Sequence, residues 1–128
     1  MPRIIRIVAV CGMLVSGCSD DLCANEVVQR LDSPDGRKTA VLFERDCGAT
    51  TGFSSQVSVV DSGVTVSGGG NVFVADDNGG AIKGRRGPIV EIQWLSRDHL
   101  LITHEARARV FRQEHRLDGV AISYDTGG

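Results

Sequence analysis

Beyond Cys23 the chain runs only short distances between turn signals, and this spacing constrains its fold more than any other feature. Ser33-Pro34-Asp35-Gly36, the pair Gly48 and Gly52, Asp61-Ser62-Gly63, Ser67-Gly68-Gly69-Gly70, Asp76-Asp77-Asn78-Gly79-Gly80, Ser96-Arg97-Asp98 and Asp118-Gly119 punctuate it. Pro34 presets φ at the second turn position and Gly36 accepts the positive φ that follows, while Asp118-Gly119 is a hairpin dipeptide. The intervals are strand-length and show scarcely any helical periodicity. Full strands are expected at 26–31, 38–45, 53–60, 89–95, 99–104, near 109–116 and over 120–124, with shorter pieces at 64–66 and 71–75. About seven strands with regular turns predict an all-β domain, an antiparallel sandwich or a partly open barrel. A chain of 128 residues holds one such domain, expected at 26–125.

The strand patterns differ in a way that sorts them by position. Val90, Ile92 and Trp94 alternate with Glu91 and Gln93, so one face is buried. Ala40-Val41-Leu42-Phe43 is apolar at every position, which predicts a central strand covered on both sides. Val57 and Val59 share a face opposite Gln56 and Ser58, and the glycine run at 67–70 reads as a flexible break. The proline turn occurs once, without the repeat period of a propeller.

The amino terminus carries a different message. Arg3 and Arg6 precede the apolar run Ile7-Val8-Ala9-Val10-Cys11-Gly12-Met13-Leu14-Val15, which has the length of a signal-peptide core and falls short of a membrane span. Val15-Ser16-Gly17-Cys18 resembles a bacterial lipobox, with Val15 where Leu is preferred. The alternatives are an ordinary signal peptide or a buried apolar helix with a chance cysteine. The lipobox reading implies a signal-peptide helix at 1–17 that is removed, a lipidated tether at 18–25, and acylation of Cys18, whose chains bind the membrane. Ser19, where an Asp would favour inner-membrane retention in such lipoproteins, implies the outer membrane and a periplasm-facing domain. Cys11 then leaves with the leader and Cys18 is acylated, so Cys23 and Cys47 remain as a disulfide pair in an exported chain. Closing that loop is worth about 3.5 kcal/mol in the chain-entropy model.

Charge narrows the functional classes. Losing Arg3 and Arg6 leaves twelve basic residues against sixteen acidic ones, a formal −4. No basic excess or nucleic-acid motif points to nucleic acid. The loop from Asp46 through Thr50 and Thr51 is the candidate binding site: its hydroxyls and amides form an anion or peptide-carboxylate pocket, or they cap local backbone groups in a pinned turn. His99 and His104 are five apart on one strand and so face opposite ways, which argues for surface histidines and against a shared metal. Asp76-Asp77-Asn78-Gly79 has oxygen ligands without an EF-hand pattern. Gly52-Phe53-Ser54-Ser55-Gln56 is not a nucleophile elbow, and no acidic pair has defined spacing. Lys83-Gly84-Arg85-Arg86 offers contact to lipid phosphates or acidic glycans, or is a solvated loop. Catalytic residues, metal and cofactor are therefore all expected to be absent.

Four segments carry a likeness: Ser33-Pro34-Asp35-Gly36, the stretch from Phe43 to Ser54 containing Asp46-Cys47-Gly48-Ala49-Thr50-Thr51-Gly52-Phe53, Gly70 to Asp76, and Trp94-Leu95. Together they resemble a family of small, uncharacterised bacterial proteins, many of them exported. The resemblance implies a single exported domain and brings no activity or catalytic residue. The expected role is binding or interaction, with an envelope protein as partner. The alternative is an inhibitor or immunity-type protein whose protruding loop, 67–70 or 81–87, enters the cleft of an envelope hydrolase.

Overall fold

A computed structural model describes residues 23–48, 53–80, 82 and 87–127. Among them lie nine strands: β1 (Ala24–Asp32), β2 (Lys38–Asp46), β3 (Phe53–Asp61), β4 (Phe73–Asp76), β5 (Val90–Ser96), β6 (His99–Glu105), β7 (Arg109–Gln113), β8 (Arg116–Leu117) and β9 (Val120–Gly127). They form two sheets, one ordered β1-β2-β3-β4-β7 and the other β5-β6-β9-β8. The fold is an all-β sandwich and not a closed barrel. The alternating faces of the two sheets meet in one core. Ala40, Leu42, Val57, Val59, Phe73 and Ala75 of the first sheet pack against Val90, Ile92, Leu100, Ile102, Val120 and Ile122 of the second. No described helix is long and apolar enough to cross a membrane.

The turn chemistry forms as the sequence predicts. Gly36 N–H donates to Ser33 O at 2.8 Å, Ser33 Oγ bonds Asp35 Oδ1 at 2.8 Å, and Gly36 sits at φ 73°. Asp118 and Gly119, at φ 52° and 83°, join β8 to β9 as a two-residue hairpin loop.

Three strand expectations need correction. Residues 64–66 form no strand, and the single strand near 109–116 divides into β7 and β8, which belong to different sheets. The ladders are also not all antiparallel, because β6 and β9 run parallel. The cause is the crossover: after β6 the chain leaves for the first sheet as β7, returns as β8, and hairpins back beside β6. Local sequence contains no signal for such a crossing.

The glycine run is the largest surprise. In the β2–β3 register Val41 faces Ser58 and Phe43 faces Gln56, so these four share the side of the first sheet that points away from the core. All four are buried, Val41 and Phe43 fully. Residues 64–71 lie over that face. Gly70 N–H donates to Gln56 Oε1 at 2.6 Å, Asn71 N–H to Ser58 Oγ at 3.1 Å, Asn25 Nδ2 to Gly68 O at 2.9 Å and Arg30 to Val64 O at 3.0 Å. A Cβ at Gly70 would stand 2.7 Å from Phe73 O and 2.8 Å from Val57 O, so the residue is glycine because backbone must approach backbone there. The run expected as a flexible break is a packed cover. The expectation that β2 is covered on both sides holds, with a sheet on one side and this loop on the other.

Candidate functional site

Cys23 and Cys47 are bonded, with an S–S distance of 2.00 Å. They extend the β1–β2 ladder one step past the Ala24–Asp46 pair, so the staple closes the end of a two-strand ribbon. Beyond it, Asp46 Oδ1 accepts from Gly48 N–H at 3.0 Å. Asp46 therefore caps its own turn, as the local-bonding alternative expects. Thr50 and Thr51 lie outside the described residues, as do Cys18 and the Lys83–Arg86 loop.

The remaining sequence candidates disperse. His99 Nε2 bonds Ser123 Oγ at 2.6 Å on the second sheet's outward side. His104 is not a surface residue: it is buried, with its ring 5.2 Å from Phe73 and its Nδ1 donating to Glu105 O at 3.0 Å. The even positions of β6 face the core, and that parity carries His104 inward with Leu100 and Ile102. His115 meets the edge of Tyr124 at 5.4 Å. The Tyr124 hydroxyl donates to Glu114 O at 2.6 Å and also lies 3.2 Å from Val72 O, and burial pushes its phenol above the ordinary value. His104 and His115 are linked only through the Phe73 and Tyr124 rings, whose centroids are 5.9 Å apart, and no described group of acids, histidines and cysteines is arranged to hold a metal.

Asp76-Asp77-Asn78-Gly79 is a turn. Asp76 Oδ1 accepts from Asn78 N–H at 2.8 Å, Asp77 Oδ1 from Gly80 N–H at 3.2 Å, and Asn78 adopts φ 57°. Burial raises the Asp76 carboxyl, but the guanidinium of Arg109 and the Asn78 amide outweigh it and hold the group below its usual range. Ser55 is buried with its hydroxyl donating to Pro88 O at 2.6 Å, which removes it as an exposed nucleophile. Of residues 67–70, offered above as a protruding loop, Gly70 is buried against Gln56 while Ser67 and Gly69 are exposed.

Sequence reasoning missed two arrangements. At the pole opposite the disulfide, Lys38 Nζ lies 2.7 Å from Asp61 and 2.5 Å from Asp118, tying β2 to the turn before residue 64 and to the β8–β9 hairpin. Both carboxylates raise the Lys38 ammonium above its ordinary value, and Lys38 lowers Asp61. The second arrangement is a set of three bulges. Val28 in β1, Leu95 in β5 and Phe111 in β7 are the residues skipped by the register shifts of their ladders, and all three strands are sheet edges. Each of these side chains is exposed, Phe111 most at 62%. Bulges on edges hinder edge-to-edge pairing, which accounts for their placement. The sequence signal for Phe111 was an aromatic among arginines in Arg109-Val110-Phe111-Arg112, without a second apolar residue at its own parity.

No known protein family, curated protein or solved structure matches this chain.

Proposed function

We propose that this protein is a lipid-anchored bacterial envelope lipoprotein, acylated at Cys18 and facing the periplasm, whose β-sandwich serves as an interaction module. The observation that carries the reading is the Cys23–Cys47 bond, which suits an oxidising compartment and lies five residues from the lipobox cysteine. The spacing would place the stapled end of the sandwich next to the bilayer. Ser19 favours outer-membrane sorting. The described side chains support binding over chemistry: His99, His104 and Ser55 are spent on local bonds, whereas apolar side chains are displayed on the edges.

Intact mass of the protein extracted from native membranes, before and after reduction and alkylation, tests the proposal. The expected mass begins at an acylated Cys18, with Cys23 and Cys47 alkylated only after reduction. An unprocessed chain with free thiols would overturn both export and anchoring.

A further inference from the structure

Phe111 differs from the bulged Val28 in what surrounds it. Val28 leans into a cleft of about 190 Å³ shared with Leu42, Pro88 and Ile89, where its apolar surface has apolar company. Phe111 has a guanidinium instead: Arg109 lies 5.1 Å over its ring. Arg109 is itself held on Asp76 by two bonds, at 3.2 and 2.7 Å, so the stacked pair is fixed. Arg109 opposes Asp76 and Arg112 opposes Val74, positions of like parity in β4, which puts both arginines on the first sheet's outward side. Around Phe111 the chain places Arg107, Arg109 and Arg112 against Glu114 and the facing Asp76, a local excess of one positive charge in a chain whose formal charge is −2.

An edge that only had to resist pairing would be served by the bulge and the charges alone. An exposed, clamped phenylalanine adds nothing to that protection and costs solubility. It is instead the kind of rigid aromatic anchor that dominates binding energy at protein interfaces. Arg112 meets Glu114 at 3.3 Å, with both side chains about half exposed. Exposed pairs of this kind contribute little, so a carboxylate from a partner can replace Glu114 readily. A bilayer is a poorer occupant, because β7 is a sheet edge and hydrocarbon cannot satisfy its unpaired backbone groups.

We infer that the outward side of β7, built from Phe111, Arg109 and Arg112, is the docking surface for an acidic segment of another protein. An apolar group of the segment would cover the Phe111 ring and its carboxylates would pair with Arg112. This rests on the interaction-module reading and is independent of the lipid tether, which the Cys18 mass decides separately.

The test is photo-crosslinking in the native host, using the full-length protein with Phe111→p-benzoylphenylalanine and a control with the same substitution at Gln93, an exposed residue of β5. The expected result is a protein adduct at 111, absent at 93, whose crosslinked peptide carries net negative charge. Its yield should fall about tenfold in an Arg112→Glu background, because charge reversal at a docking site both slows encounter and repels the bound carboxylate. The melting temperature of that variant should stay within a degree or two of the parent, as expected for an exposed position. Adducts with phospholipid alone, no adduct, a neutral or basic crosslinked peptide, equal labelling at 93, or a yield indifferent to Arg112→Glu would each overturn the proposal.

Discussion

The two sheets treat their outward faces differently. On the first sheet, Val41, Phe43, Gln56 and Ser58 are buried beneath residues 64–71. On the second, Glu91, Gln93 and Leu95 are exposed, and Leu101, Thr103 and Ser123 are half-buried. The sandwich therefore has a third layer on one side, made of irregular chain instead of strand or helix. Irregular backbone can serve as a layer only if its polar groups find partners, and here Gln56, Ser58, Asn25 and Arg30 supply them from the sheet below. Such a layer holds position through a few directed hydrogen bonds and one tight glycine contact. Damage to either should unseat it, whereas equivalent changes on the open sheet should be tolerated.

Truncation separates the two faces most strongly. Phe43→Ala should cost about 3–5 kcal/mol in denaturant unfolding, the usual range for a fully buried aromatic. Leu101→Ala on the second sheet should cost less than half as much, and equal losses would erase the distinction. Reduction of Cys23–Cys47 should remove about 3.5 kcal/mol if the closed loop acts through chain entropy, and it should lower the stability of both variants by the same amount.

Crowding sharpens the comparison further. Gly70→Ala should destabilise by about 1–3 kcal/mol, because the added methyl meets Phe73 O and Val57 O. Gly68→Ala, at φ 72° with open space around its Cβ position, should cost only about 1 kcal/mol through backbone strain. If the order is reversed, the cover is loose.

The smallest expected effect is electrostatic. Asp61 and Asp76 are held below the usual carboxylate range in the folded chain, by Lys38 in one case and by Arg109 with the Asn78 amide in the other. A depressed folded-state value contributes stability above the unfolded value of about 4, and this is lost as pH falls through the folded value. Melting temperature should therefore decline below about pH 4, and Asp76→Asn should flatten that decline. A decline unchanged in Asp76→Asn would mean that the Arg109 pair makes no net contribution.

Much of the sandwich was legible because alternation and turn residues act locally. Val90, Ile92 and Trp94 face inward as their spacing requires, and the turns at Gly36 and Asp118 form with the residues that announce them. The apolar run Ala40–Phe43 also told correctly that something covers both sides of β2. What covers it was not legible, since Ser67-Gly68-Gly69-Gly70 has the same composition whether it is solvated or packed; only Gln56 and Ser58, polar residues destined for burial, distinguish the cases. The inward turn of His104 was lost for a related reason: parity separated it from His99 but did not say which of the two faces the core. The bulge at Phe111 is a property of the β4–β7 register, and no local rule fixes that register when the strands are separated by two others in sequence order.

The most direct test of the three-layer account is methyl NMR with a soluble paramagnetic chelate. Val41 should be shielded from relaxation as well as the core residue Ile102, while Leu95, which is 49% exposed, should broaden strongly. Shielding of Val41 that disappears in Gly70→Ala would confirm that residues 64–71 form the cover. Strong broadening of Val41 in the unmodified protein would contradict the account, because the first sheet would then be as open as the second.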